Sequence, residues 1–178
     1  MCAAMSAFSP ANKHYRAILQ FYGAASARRS TVPLMAHIDE GLAILDAIGA
    51  STEAREAFCL HPLLQAGPVV APCEPDPKPL MLAMEYRRVA NAYLSHHFRG
   101  DADVIALSTE PEVNDMLVAD KVQNRKDFEI HHLSTHANAD VLARYFRNWL
   151  RELGVSEERY LELTRMLARE GRPKPPHA

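Results

Sequence analysis

No apolar run in this chain approaches the roughly 20 residues that a helix needs to cross a bilayer, so no membrane association is expected. Cysteine is scarce. Cys2, Cys59 and Cys73 are the whole complement, an odd number with no repeating spacing. That excludes a disulfide framework and points to a reducing, cytoplasmic setting. Neither sign of charge is in excess: 20 Lys and Arg against 22 Asp and Glu give a formal net charge of -2. Nucleic acid and acidic membrane surfaces are therefore not expected partners. The opening Met1 to Pro10 lacks a basic region followed by a long apolar core, so no secretory signal is expected there. Sustained two-residue alternation bounded by hairpin turns is missing, and no internal repeat is visible.

What is present is an ordinary globular mixture, 48% hydrophobic and 24% charged over 178 residues. That length favours one domain with a single core. Residues 1–10 read as a loosely held leader, 11–170 as a helical domain, and 171–178 (Gly-Arg-Pro-Lys-Pro-Pro-His-Ala) as a disordered tail. Within the domain, about seven helices are expected. The first spans about 11–25 with a stripe of Tyr15, Ile18, Leu19 and Tyr22. The second carries Leu34, Ile38, Leu42, Leu45 and Ile48 and stops at Gly49. A third, capped by Ser51 or Thr52, should kink or end near His61, because Pro62 removes a hydrogen bond and crowds the preceding turn. The five prolines between Gly67 and Pro79 mark a loop. A helix over about 80–98 follows, then a connector. Thr109-Glu-Pro-Glu112 is a capping-box pattern opening the helix that holds Asp120. Val141, Leu142, Tyr145, Phe146, Trp149, Leu150 and Leu153 form a strong amphipathic stripe, either core or a homodimer face. Ser156 opens the last helix, through Leu161 and Leu167 to about Glu170. The fold class expected is all-α.

The chemistry-bearing residues are spread along the chain. His61 follows His37 by 24 residues, and Asp120 comes 59 residues later. Two imidazoles and a carboxylate are donors suited to Zn²⁺, Mn²⁺ or Fe²⁺, and separate helices can bring them together in a bundle core. Asp120 and Asn124, four apart, project from one side of a helix on which Leu117, Val118 and Val122 give the apolar face. A short-range ligand pattern such as H-E-x-x-H is absent. His96-His97 and His131-His132 with His136 read as surface, since adjacent helical residues point in different directions. Cys59 and Cys73 read as packing and loop residues rather than nucleophiles.

Arg28-Arg29-Ser-Thr-Val-Pro-Leu-Met-Ala-His37 leads into Gly41-Leu-Ala-Ile-Leu45, and Val118-Ala-Asp120-Lys-Val-Gln-Asn124-Arg-Lys-Asp-Phe128 follows downstream. These segments resemble the "TPYxxH", "VAxIL" and "LADKLxNLRDL" segments of the HD-domain hydrolases of the RelA/SpoT group, especially the stand-alone small (p)ppGpp hydrolases. The likeness covers roughly residues 15–170, and the Asp120 segment is its most specific part. It implies an HD-like helical bundle that binds a divalent metal, usually Mn²⁺, and hydrolyses a nucleotide pyrophosphate ester. His37, His61 and Asp120 would be the metal ligands. Arg28, Arg29 and Asn124 would contact a small-molecule nucleotide.

The chain departs from the family at three places. Pro62 stands where the family has the Asp of its His-Asp dipeptide. Gln65 and Ala66 stand where it has an acidic pair. Gln65 can hydrogen-bond water or phosphate but cannot act as a base. His or Glu residues elsewhere, Glu85 among them, are alternative sources of a missing ligand. Two further readings stand beside the hydrolase: a silent HD-like module that binds a nucleotide or a partner, and a purely structural helical domain.

Overall fold

The computed structural model describes residues 12–27, 30–65 and 73–170. Seven α-helices occur among them: α1 (Lys13–Tyr22), α2 (Leu34–Ala47), α3 (Thr52–Gln65), α4 (Pro77–Ala92), α5 (Pro111–His131), α6 (Ala139–Glu152) and α7 (Glu157–Glu170), with a short 3-10 turn at Ser95–His97. No strand is present among the described residues; an isolated bridge pairs Ser26 with Pro33. The all-α expectation holds. No helix among the described residues is long and apolar enough to cross a membrane. The leader, the 171–178 tail and the first part of the proline-rich segment lie outside the described residues.

Local signals account for most helix ends. Asn12 Oδ1 accepts from the backbone N–H groups of His14 and Tyr15 and so opens α1. Ser51 Oγ accepts from Ala54 N–H at 3.1 Å at the start of α3, and Ser156 Oγ from Arg159 N–H at 3.1 Å at the start of α7. Gly49 takes φ +73° just beyond α2, a left-handed conformation that costs glycine little because it has no Cβ.

The structure corrects several local expectations. Of the kink or end expected near His61, the end does not occur there: α3 runs to Gln65 with Pro62 inside it. α4 begins at Pro77 rather than residue 80, because Pro77 and Pro79 fall in its first turn, where no intrahelical N–H is needed. It ends at Ala92, short of Phe98. The Thr109 capping box does not form. Ser108 N–H instead donates to Asn114 Oδ1, Asn114 Nδ2 donates to Ser108 O, and Ser108 Oγ accepts from Glu110 N–H. Leu19 and Val141, placed on apolar stripes from spacing, are exposed.

α5 is the axis of the bundle. It packs against α2, α3, α4, α6 and α7. Val113, Met116, Leu117, Ala119, Val122 and Phe128 are buried along it, together with the polar Asp120, Lys121, Gln123 and Arg125. The expected half-apolar helix is thus enclosed on nearly every side. Its buried charges are paired, as burial requires: Arg125 with Glu129 and Glu157, and Lys121 with Asp120. Trp149 is fully buried core, with the Lys121 ammonium 4.9 Å from its ring. On the other side, α2 and α3 approach so closely at Gly41 that a Cβ there would collide with the Phe58 ring.

Candidate metal centre

Pro62 has no N–H, so the carbonyl four residues earlier, Phe58 O, loses its helical partner. Leaving a buried carbonyl unpaired costs about 1–3 kcal/mol. His61 Nδ1 fills that vacancy at 2.6 Å. A carbonyl only accepts, so Nδ1 carries the proton and Nε2 is left with its lone pair. The proline that ought to end the helix thereby sets the tautomer of the histidine beside it.

His37 is fixed in the same sense from α5. Gln123 Nε2 donates to Asp127 Oδ2 at 2.7 Å and to Glu40 Oε2 at 3.2 Å. Those carboxylates can only accept, which orients the amide and turns Gln123 Oε1 towards His37 Nδ1, 2.7 Å away. His37 Nδ1 therefore donates, and in the neutral imidazole its Nε2 carries a lone pair.

The two Nε2 atoms face each other at 3.3 Å. Asp120 Oδ1 lies 3.6 Å from His37 Nε2. One donor atom from each of His37, His61 and Asp120 falls within 4.8 Å of the others. With both imidazoles neutral, two lone pairs and a carboxylate oxygen lie close enough for one cation to take all three. The donor set fits a divalent first-row metal, with each imidazole held by a hydrogen bond from its outer nitrogen, as ligating histidines are.

Electrostatics favour the ligating forms. Burial, with the neighbouring His37, pushes His61 down to about 3, against the pull of Asp120, so it is neutral. Burial alone would push the Asp120 carboxyl up. Lys121, His37 and His61 outweigh it and bring the group down to about 2. Lys121 Nζ is 2.8 Å from Asp120 Oδ2, and Asn124 Nδ2 donates to Asp120 Oδ1 at 2.8 Å. Tyr86 closes the inner wall, its ring 4.8 Å from that of His61, and burial holds its phenol protonated.

The centre lies at the base of an open cavity of about 300 Å³. Asn124, Asp127, Tyr22 and Ser30 also line it. His37, His61, Asp120 and Asn124 are therefore brought together as their types suggested. Arg28 and Arg29 lie outside the described residues, but Ala27 and Ser30 on either side of them line the cavity. The Gln65 side chain and Ala66 lie outside them too. Glu85 is not part of the centre; it pairs with Arg88 and accepts from Ser108 Oγ. His96 and His97 are exposed.

Sequence reading missed Gln123 and Lys121. Their signal was available: both sit within the Asp120 segment, and Gln123 follows Asp120 by three residues, which puts it on the cavity side of α5. His14 was missed as well. It is completely buried and lies with Glu56 and Asp76 in a second group of potential ligands.

Comparison of the chain with protein-family models, curated proteins and solved structures finds no match.

Proposed function

We propose that the protein is a metal-dependent phosphohydrolase of the HD type that acts on a nucleotide phosphate or pyrophosphate ester resembling (p)ppGpp. The observation that carries this reading is the convergence of three potential ligand atoms, His37 Nε2, His61 Nε2 and Asp120 Oδ1, in an open cavity. The resemblance of residues 118–128 to the HD hydrolases supplies the reaction class.

His37, His61 and Asp120 would hold the ion, for which Mn²⁺ suits the mixed imidazole and carboxylate set. When bound, such an ion polarises a phosphoryl oxygen and lowers the pKa of water. The chain supplies the rest. Gln123 holds His37, the Phe58 carbonyl holds His61, and Lys121 keeps Asp120 ionised. Asn124 sits at the cavity wall with its amide on Asp120, placed to meet a phosphate or ribose oxygen. Arg28 and Arg29, adjoining two lining residues, would bind phosphate bidentately. Asp127 is the wall carboxylate available to take a proton from water, the task for which Gln65 is unfit. A nucleotide substrate also suits the cytoplasmic setting that the cysteine usage suggests.

The second reading is a silent HD-like module that binds nucleotide or a partner. Pro62 favours it, since it supplies no ligand where the family has a carboxylate. The test is Mn²⁺-dependent release of phosphate or pyrophosphate from a nucleotide panel that includes ppGpp. Turnover abolished by Asp120→Ala is the expected result. Metal-free nucleotide binding without turnover on any member supports the module instead.

A further inference from the structure

A second group of donors lies on another side of α3. Glu56 precedes His61 by five residues, which places the two about 140° apart around the helix. His14 of α1 faces Glu56 with its Nδ1 and Asp76, the residue before α4, with its Nε2. One donor atom from each of the three falls within 4.8 Å of the others.

His14 is the informative member. It is 0% exposed, and its Nδ1 is buried with no hydrogen-bond partner among the described residues. Buried polar atoms in native folds are almost always satisfied. Glu56 Oε1 stands 3.7 Å from that nitrogen, too far for a hydrogen bond. Two metal–ligand bonds of about 2.1 Å each can span such a gap. On the other edge of the ring, Nε2 is 3.8 Å from Asp76 Oδ2 and accepts a long hydrogen bond from the Asp76 backbone N–H at 3.4 Å. The carboxylates are held in place: Asn12 Nδ2 donates to Glu56 Oε1 at 3.0 Å, and Lys13 Nζ to Asp76 Oδ1 at 2.7 Å. Lys13 already brings a positive charge to the exposed carboxylate.

We infer that His14, Glu56 and Asp76 form a second divalent-cation site that clasps α1, α3 and the start of α4. A single imidazole nitrogen with two carboxylates suits Zn²⁺ or a neighbouring first-row ion, with water completing the shell on the exposed Asp76 side. The site serves position rather than turnover. α1 ends at Tyr22, which lines the cavity of the first centre, and α3 carries His61. A cation here fixes both helices against one another.

The test is a Zn²⁺ titration by calorimetry on the full chain, with Glu56→Gln and Asp76→Asn chosen because those positions are partly exposed and His14→Asn risks misfolding. Asp120→Asn reports the first centre separately. The expected result is that Asp120→Asn retains one equivalent of Zn²⁺ and that Glu56→Gln introduced into it weakens that equivalent at least tenfold. Asp76→Asn in the same background weakens it similarly. Zn²⁺ should also raise the melting temperature of Asp120→Asn but not of the double variant. If Asp120→Asn binds no Zn²⁺, or if its remaining equivalent is indifferent to Glu56→Gln, the second site does not exist. Failure of the first centre reads differently: wild type and Asp120→Asn would then bind identically.

Discussion

Pro62 and Phe58 are four residues apart on α3, and the carbonyl that the proline leaves without a helical donor is the one that His61 Nδ1 occupies at 2.6 Å. A residue that stands where the resembled family has an aspartate therefore orients the histidine next to it.

That relationship gives the first prediction. Pro62→Ala returns an N–H to the helix, and this N–H competes with His61 for Phe58 O. His61 then loses its fixed tautomer and ring orientation. Cation affinity at the first centre should fall about tenfold, the usual effect of losing such a support. Mn²⁺ titration calorimetry of the variant checks it; wild-type affinity would mean that the proline has no part in the site.

Gln123 gives the second. It is the acceptor for His37 Nδ1 and is itself oriented by Glu40 and Asp127. Gln123→Leu removes the acceptor and should weaken cation binding about 10–100-fold. Gln123→Glu keeps an acceptor and should bind more tightly than Gln123→Leu. Equal affinities for the two variants would show that the hydrogen bond is incidental.

Lys121 gives the third. Its ammonium neutralises Asp120 in a place where both side chains are almost wholly buried. Breaking a buried pair by removing one partner costs about 3–5 kcal/mol. Lys121→Met should therefore melt well below wild type without added metal, and Mn²⁺ should recover much of the loss, because the ion replaces the missing positive charge. Thermal melts with and without Mn²⁺ test this. A variant that stays weak in both conditions would argue against a cation beside Asp120.

The fourth concerns pH. His61 titrates at about 3 in the folded chain and near 6.5 when unfolded, chiefly because burial disfavours its charged form. Between those values the unfolded state binds a proton that the folded state refuses. The stabilisation is complete above the unfolded value and is lost as pH falls towards about 3, at up to about 1.4 kcal/mol per pH unit. His14 is lowered for the same reason, burial, and works in the same direction. Asp120, lowered from 3.8 to about 2, adds a further loss at the acid end. Metal-free urea midpoints between neutral pH and about pH 4 should fall steadily. His61→Asn should flatten the decline, and an unchanged slope would assign it to other groups.

The sequence carried the helices and the ligands better than their supports. His37, His61, Asp120 and Asn124 were legible because their types and spacings suggest a chemistry before any geometry is known. The helix ends marked by Gly49, Ser51 and Ser156 were legible because each depends on residues within a few positions. Leu19 and Val141 misled because spacing assigns a face without saying whether a neighbour covers it. Pro62 misled because the compensation for its missing N–H is a side-chain nitrogen, which no propensity rule anticipates. The isolation of the His14 group was equally hidden, since its members are separated by 42 and 20 residues and meet only through tertiary packing.

α5, surrounded by five other helices, has a consequence for exchange with solvent. Its central amides are hydrogen-bonded within an enclosed helix, so they are expected to be among the last in the molecule to take up deuterium. Asp120, Gln123 and Asn124 thus sit on backbone expected to exchange slowly, and hydrogen exchange reads the cavity wall that they form. Across the same cavity, Tyr22 and Ser30 contribute lining from the α1–α2 side.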